Sequence, residues 1–257
     1  WRNTYAHLMA ELGWTRFAMN FAELPLYRFL EDKPRVILDR MAAQGVNSPL
    51  ASSCGRLFDA VAAAVGLCRE KARFEGQAAM ELEAAVDPAV LGEPLPAEGS
   101  ELLYPFSTPK LGGQGLPYLE PLAMWQALLG DLILGTSLPV MASRFHRGLA
   151  RAVARLAAKV LEGPVLAGEA DNAAALSGGC FQNRILFELT VRELEARGIR
   201  VLTAAAVPAN DGGLSLGQAA VAAATLISRG APPRDEGLGT MTSAGTTTHA
   251  TGDTPCA

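Results

Sequence analysis

Metal-binding and redox signatures are scarce in this sequence. Its 257 residues include four cysteines and three histidines. Cys54, Cys68, Cys180 and Cys256 have no CxxC spacing and form no dense framework in a small domain, which argues against a structural zinc module and a secreted disulfide scaffold. Thiols this sparse fit a reducing cytoplasm. No HxxxH or HExxH pair occurs, so a metal site built from this chain alone is short of ligands. There is no run of roughly twenty apolar residues. The opening WRNTYAHLMAELGW has neither the basic region nor the small-residue cleavage site of a signal peptide, and without an initiator methionine it reads as a start inside a longer protein. Charge of one sign is lacking too: 22 basic residues face 26 acidic ones, which leaves no electrostatic footprint for a nucleic acid or a membrane surface.

What is present is apolar material, 49% of the chain, ample for a packed core. Residues 1–86 read as helical: Tyr5, Leu8, Met9 and Leu12 recur at helical spacing, and PRVILDRMAAQ is bracketed by Pro34 and Gly45. Further helices are expected at 55–66 and 76–86. The Pro- and Gly-rich segment 87–100 reads as a linker or surface loop and a domain boundary. Beyond it, 101–229 reads as an α/β lobe. ELLYPF (101–106) is expected to be a strand, 115–121 a short extended piece and 123–134 a helix. A long amphipathic helix follows, with Phe145, Leu149, Val153, Leu156 and Val160 on one side and Arg144, Arg147, Arg151, Arg155 and Lys159 on another. From 172 the pattern is strand, glycine loop, helix (184–197), strand (199–204), loop and helix (214–228), which implies a parallel sheet covered by helices. The tail 230–257, poor in large apolar residues, is expected to be disordered, so its histidine and cysteine carry no weight.

Two strand-to-helix junctions share a design, LSGGCFQN (176–183) and VPANDGG (207–213). Helix starts present unpaired N–H groups, and glycines let an anion approach them closely, so each junction is a candidate phosphate or carboxylate cradle. Glycines also simply make tight turns; the pair together favours a ligand. Asn183 is well suited to cap its helix. Asp211 suits either a cap or a hard cation, and spacing alone places the cap first. Asp59 and Glu75 read as ordinary first-turn acids. His7 reads as a partly buried ring on a helical face, and His146 as an exposed helical position or a packing partner rather than a catalytic base.

Taken in order, SSCGRLFDAVAAAVGL, FEGQAAMELE, SRFHRGLA, ALSGGCFQNRIL and VPANDGGLSLGQAAVAA resemble the carboxy-terminal part of HypF-type carbamoyltransferases, the hydrogenase maturation proteins, across nearly all of residues 1–229. That region is similar to the tRNA threonylcarbamoyl transferases. The resemblance implies an actin-like ATPase fold, here incomplete: a helical segment followed by a mixed or parallel sheet flanked by helices. It also implies a reaction in which ATP and carbamoyl phosphate give a carbamoyl adenylate, whose carbamoyl group passes to the carboxy-terminal cysteine of the partner HypE. Carried over residue by residue, Asp59 is expected at the nucleotide ribose, Gly76 and Gln77 near the same nucleotide, and Ser177, Gly178, Gly179 and Asn183 around the adenosine and phosphates. Asp211 becomes one ligand of a divalent metal (zinc, iron or magnesium), which reverses the ranking from spacing.

The sequence departs from the family pattern as well. The histidine-rich segment expected to complete the metal site, the acylphosphatase-like region, the zinc-finger modules and the adenylate-forming region have no counterpart in it, so the chain reads as a fragment expected to be inactive alone. The competing readings are an actin-like small-molecule kinase, for which no upstream phosphate loop is visible; a non-catalytic, nucleotide-responsive docking module using the basic helix 144–159; and a remnant with an exposed inter-lobe face.

Overall fold

The computed structural model describes residues 1–113, 115–163 and 172–230. The expected disordered tail lies, from 231 onward, outside the described residues. The chain divides into two compact units, Trp1–Gly213 and Leu214–Ala257.

The first unit opens with four short helices, α1 (Arg2–Glu11), α2 (Trp14–Phe21), α3 (Pro25–Glu31) and α4 (Arg35–Gln44). α4 starts after Pro34 and stops at Gly45, whose φ of 67° is the left-handed conformation that ends a helix. Next come α5 (Cys54–Ala64) and α6 (Gln77–Ala84). α5 is rich in alanine, and its small side chains let α1 lie close, so Thr4 Oγ1 donates to the Ala60 carbonyl at 2.9 Å in a dry contact. α7 (Leu122–Leu134) and α8 (Leu138–Leu161) follow, then β1 (Ala173–Leu176), α9 (Arg184–Glu195) and β2 (Arg200–Thr203). The strands pair in parallel, Ala173 opposite Arg200 through Leu176 opposite Thr203, with α9 as the crossover. They are the only two named strands among the described residues.

One core runs through the first unit. Leu8, Phe17 and Leu30 from the early helices join Phe58 and Leu82, then Trp125, Phe145 and Leu189 from beyond the 87–100 segment. Phe58 and Phe145 meet edge to face with centroids 5.0 Å apart. A smaller cluster of Ala154, Leu176, Leu194 and Ile199 lies under the two strands. In the second unit the described element is α10 (Leu214–Ser228), on which Leu216, Val221 and Ile227 are exposed. Among the described residues no helix is long and apolar enough to cross a membrane.

Two expectations are corrected. ELLYPF is not a strand. Residues 101–103 form a turn, and only isolated antiparallel bridges, Ser107 with Glu120 and Lys110 with Pro117, follow. Pro105 and Pro109 have no N–H to offer a ladder, and the Tyr104 N–H is spent on the Arg144 carbonyl of α8 at 3.0 Å. α8 carries no free basic face either. Arg144 pairs with Asp131 at 2.5 Å, Arg147 with Glu93, Arg151 with Glu193 at 2.8 Å and Arg155 with Glu98 at 3.1 Å, while Lys159 donates to Thr108. Arg147 and Arg151 are buried. A charge inside needs a partner, and α8 is lined by acids from 93–98, α7 and α9. The docking reading based on this helix therefore loses its surface.

Candidate functional site

Because β1 and β2 run parallel, the loops that leave their carboxyl ends, 177–183 and 204–213, emerge on one edge of the sheet. That is where open α/β sheets hold ligands. The two loops touch: the Gly178 N–H donates to the Ala209 carbonyl at 2.7 Å, and Ser177 Oγ donates to the same oxygen at 3.3 Å.

Their glycines serve different ends. At Gly213 a Cβ would lie 2.6 Å from the Pro208 carbonyl, and at Gly212 3.0 Å from the Pro208 ring, so this pair makes a tight turn. Gly178 sits at φ 105°, which L residues rarely adopt. Gly179 has neither constraint. Its φ lies outside the left-handed range, and a Cβ there would meet nothing within 4 Å. Neither protein packing nor backbone requires glycine at that position.

The start of α9 is not the expected cradle, because its donors are already taken. Leu186 N–H donates to Asn183 Oδ1 at 2.8 Å, and Glu83 Oε1, reaching across from α6, accepts from Arg184 N–H at 2.6 Å and from Ile185 N–H at 3.5 Å. One turn upstream, in the 3-10 turn Gly179–Gln182, the Gly179 and Cys180 N–H groups have no acceptor among the described residues. The unspent N–H groups thus lie a few residues upstream of the helix start.

Other residues singled out from the sequence lie on α5, at the start of α6 and in the 204–213 loop. Asp59, on α5, pairs with Arg56 at 2.9 Å. Burial raises its carboxyl and the Arg56 guanidinium opposes the rise; both residues are near enough to act on the Cys180 thiol. Glu75 acts on Asp59 in turn. Gly76 adopts φ 79° to start α6, and Gln77 spends its amide locally, accepting from Arg73 N–H at 2.6 Å and donating to Glu81 at 2.7 Å. Asp211 is exposed and makes no hydrogen bond or ion pair among the described residues. The turn-capping role that spacing assigned to it belongs to Asn210, whose Oδ1 accepts from Gly212 N–H at 3.0 Å. No group of three or more His, Cys, Asp or Glu side chains converges among the described residues.

Of the two positions expected for His146, exposed or packing, the structure shows the second, its ring meeting those of Phe58 and Phe145 edge to face. The residue is wholly buried, neither exposed nor idle. Nδ1 donates to the Ala142 carbonyl one turn back at 2.8 Å, which leaves Nε2 to accept from Asn183 Nδ2 at 2.9 Å. Asn183 thereby holds the head of α9 with its oxygen and α8 with its nitrogen. Two hints were available: a capping asparagine keeps a spare amide nitrogen, and His146 adjoins the core residue Phe145. Burial pushes the His146 pKa down from 6.5 to about 4, with the Ala142 bond opposing. Between those values the unfolded chain binds more protons than the folded one, so stability should fall as pH drops through the interval, by roughly 3 kcal/mol over its full span. His7 is shifted downward by burial as well. Urea unfolding across the interval should therefore show a shallower pH slope in His146→Gln than in the parent, and identical slopes would contradict the buried neutral ring.

A family profile described as "Carbamoyltransferase, Kae1-like Domain, second subdomain" matches residues 1–218. The carbamoyltransferase HypF of Rhodobacter capsulatus is 42% identical over 202 residues, which are 78% of this chain and 23% of that protein. The carbamoyltransferase HypF of Synechocystis sp. is 30% identical over 208 residues, 80% of this chain and 24% of that protein. Among solved structures, full-length HypF in its phosphate- and nucleotide-bound form superposes with a TM-score of 0.68 at 29% identity, covering 87% of this chain and 26% of that one. The chain thus spans about a quarter of the length of these relatives.

Proposed function

Since the chain belongs to the HypF family of carbamoyltransferases, within its Kae1-like domain, we propose that it binds ATP or carbamoyl adenylate at the 177–183 loop and serves carbamoyl transfer to a protein thiol. The observation that carries this reading is the pair of unspent Gly179 and Cys180 amides, at a loop position where an added Cβ would meet nothing within 4 Å. The solved relative holding phosphate and nucleotide supports the same ligand class.

In this assignment the two amides donate to phosphate oxygens, and the Asp59 carboxylate accepts from a ribose hydroxyl. Gly76 and Gln77 shape the wall beside them, and the His146–Asn183 bond fixes the loop against α8. The adenylate, made from ATP and carbamoyl phosphate, supplies an activated carbonyl. As its bond to AMP breaks, fixed N–H donors disperse charge on the departing phosphate without reorganising. The acceptor is the carboxy-terminal cysteine thiol of HypE in nickel–iron hydrogenase maturation, so the nucleophile comes from the partner. A lone carboxylate does not make a metal centre. Asp211 is therefore assigned one ligand position on a divalent cation, with no chemical step, and this set of residues does not complete the transfer by itself.

Asp211→Ala and Asn183→Ala test the reading by calorimetric titration with ATP. The first removes an exposed side chain without partners, so the fold should hold to within about 0.5 kcal/mol while ATP affinity falls when Mg2+ is present and stays put in chelator. The second also removes the α9 cap, costing about 1 kcal/mol of stability, and should weaken binding with or without metal. Unchanged affinity in both variants removes the assignment.

A further inference from the structure

Cys54 opens α5, and Cys180 is the second residue of the 3-10 turn that carries the unspent amides. Turn and helix lie against each other: a Cβ built on Gly55 would sit 3.8 Å from Cys180 Sγ. The two thiols are near enough to act on one another's acidity. Both thiols are free, partly accessible and seated at the margin of the main core. Nothing in the proposed transfer uses either sulfur, yet the fold holds them together at the mouth of the nucleotide loop.

We propose that Cys54 and Cys180 form a dithiol modification site that takes a hydroperoxide as oxidant, and that its disulfide locks the glycine loop to the head of α5 and lowers nucleotide affinity. The second half rests on the functional reading above; the chemistry of the site does not. Cys180 is the attacking sulfur. The neighbouring Cys54 thiol lowers its thiol to about 7, with burial and Asp59 opposing and Arg56 assisting. The neighbouring Cys180 sulfur, and burial, push Cys54 the other way. Low thiolate pKa and access together are what select a thiol for oxidation.

The Cys180 thiolate attacks one oxygen of the hydroperoxide and the O–O bond breaks. The leaving oxygen takes a proton and departs as water or an alcohol, and Cys180 becomes a sulfenic acid, oxidised by two electrons. The Cys54 sulfur, giving up its proton, then attacks the Cys180 sulfur. An S–S bond forms, the S–O bond breaks, and hydroxide leaves with that proton as water. Two thiols and one hydroperoxide thus yield one disulfide, one water and either a second water or an alcohol. The new bond, about 2 Å long, draws the two sulfurs to covalent distance and carries the Cys180 amide with it.

Cys68 serves as an internal comparator. Its thiol is pushed up by burial and by its bond to Glu81. The full chain is treated with hydrogen peroxide, free thiols are blocked, and peptides are mapped by mass spectrometry without reduction. The expected product is a peptide pair joined through Cys54 and Cys180. In the untreated chain at neutral pH, iodoacetamide should modify Cys180 at least about fivefold faster than Cys68, because thiolate fraction outweighs the lost nucleophilicity. In Cys54→Ser the peroxide product should be a sulfenic acid trapped by dimedone instead of a disulfide. ATP affinity of the parent should drop about tenfold on oxidation and return with dithiothreitol. Linkage of Cys180 to Cys68 or Cys256, or no intramolecular link, overturns the site. A Cys54–Cys180 link with unaltered ATP affinity overturns the lock. A reduced chain that binds no ATP overturns the functional reading and leaves the link, where it forms, as support for the dithiol.

Discussion

Gly179→Ala is expected to weaken ATP binding at least about tenfold, some 1.4 kcal/mol, while thermal stability stays within about 1 kcal/mol of the parent. Most glycine substitutions confound backbone strain with steric cost; this one does neither. The φ of Gly179 is open to alanine, and the added methyl would enter space where no protein atom lies within 4 Å. The unfolded chain loses a little freedom, which favours the folded state if it does anything. If the Gly179 and Cys180 amides hold phosphate as proposed, a methyl on Gly179 would crowd the incoming phosphate oxygen. Calorimetric titration with ATP and Mg2+, run beside thermal unfolding, separates the two effects. Equal affinity in variant and parent would falsify the phosphate cradle, however well the loop resembles one.

The second large effect is on stability. Gly148→Ala should cost about 3 kcal/mol or more, at the upper end of what overpacking inflicts. A Cβ at this α8 position would lie 2.1 Å from the Tyr104 carbonyl oxygen and 2.9 Å from its nitrogen, both backbone atoms with little room to yield. Tyr104 is pinned twice over, by its N–H to the Arg144 carbonyl and by its hydroxyl, which donates to Asp131 at 2.6 Å. Moving the segment away would also disturb the Asp131–Arg144 pair. Gly130→Ala in α7 is the control. Its Cβ would meet nothing within 4 Å, so helix propensity alone should leave it neutral or up to about 1 kcal/mol more stable. Urea unfolding of the two variants should therefore shift in opposite directions, or at least by very different amounts. Comparable midpoints would mean that the 104 segment does not bear on α8 as described.

Much of the helical order was legible because it depends on local signals. Pro34 and Gly45 bracket α4 in the sequence as they do in the fold, and the alternation after 172 yields β1, α9 and β2 in order. Segments whose backbone partners are distant were not legible. ELLYPF has the composition of a strand, but its conformation is set by a carbonyl on α8, some forty residues on, and by the absence of Cβ at Gly148. The arginines of α8 show the same limit. Periodicity placed them on one side of a helix, but only the acids at 93, 98, 131 and 193 reveal that this side faces inward. At the candidate site, glycine spacing pointed to the start of α9 for free N–H donors, and those are spent because Glu83 comes from α6, a hundred residues earlier, to take the first amides of the helix. Asn183 was readable as a cap from its neighbours alone. Its second bond, to His146, needed the two helices side by side.

The inward turn of the α8 cations also bears on how the chain responds to its medium. Mobile ions attenuate interactions between exposed charges beyond about 10 Å at 0.1 M ionic strength but scarcely reach buried pairs. Arg151 and Glu193, with side chains 8% and 4% accessible, lie behind such a shield. Added salt therefore has little hold on the pair that ties α8 to α9, whereas Arg155 and Glu98, 39% and 72% accessible, are open to it.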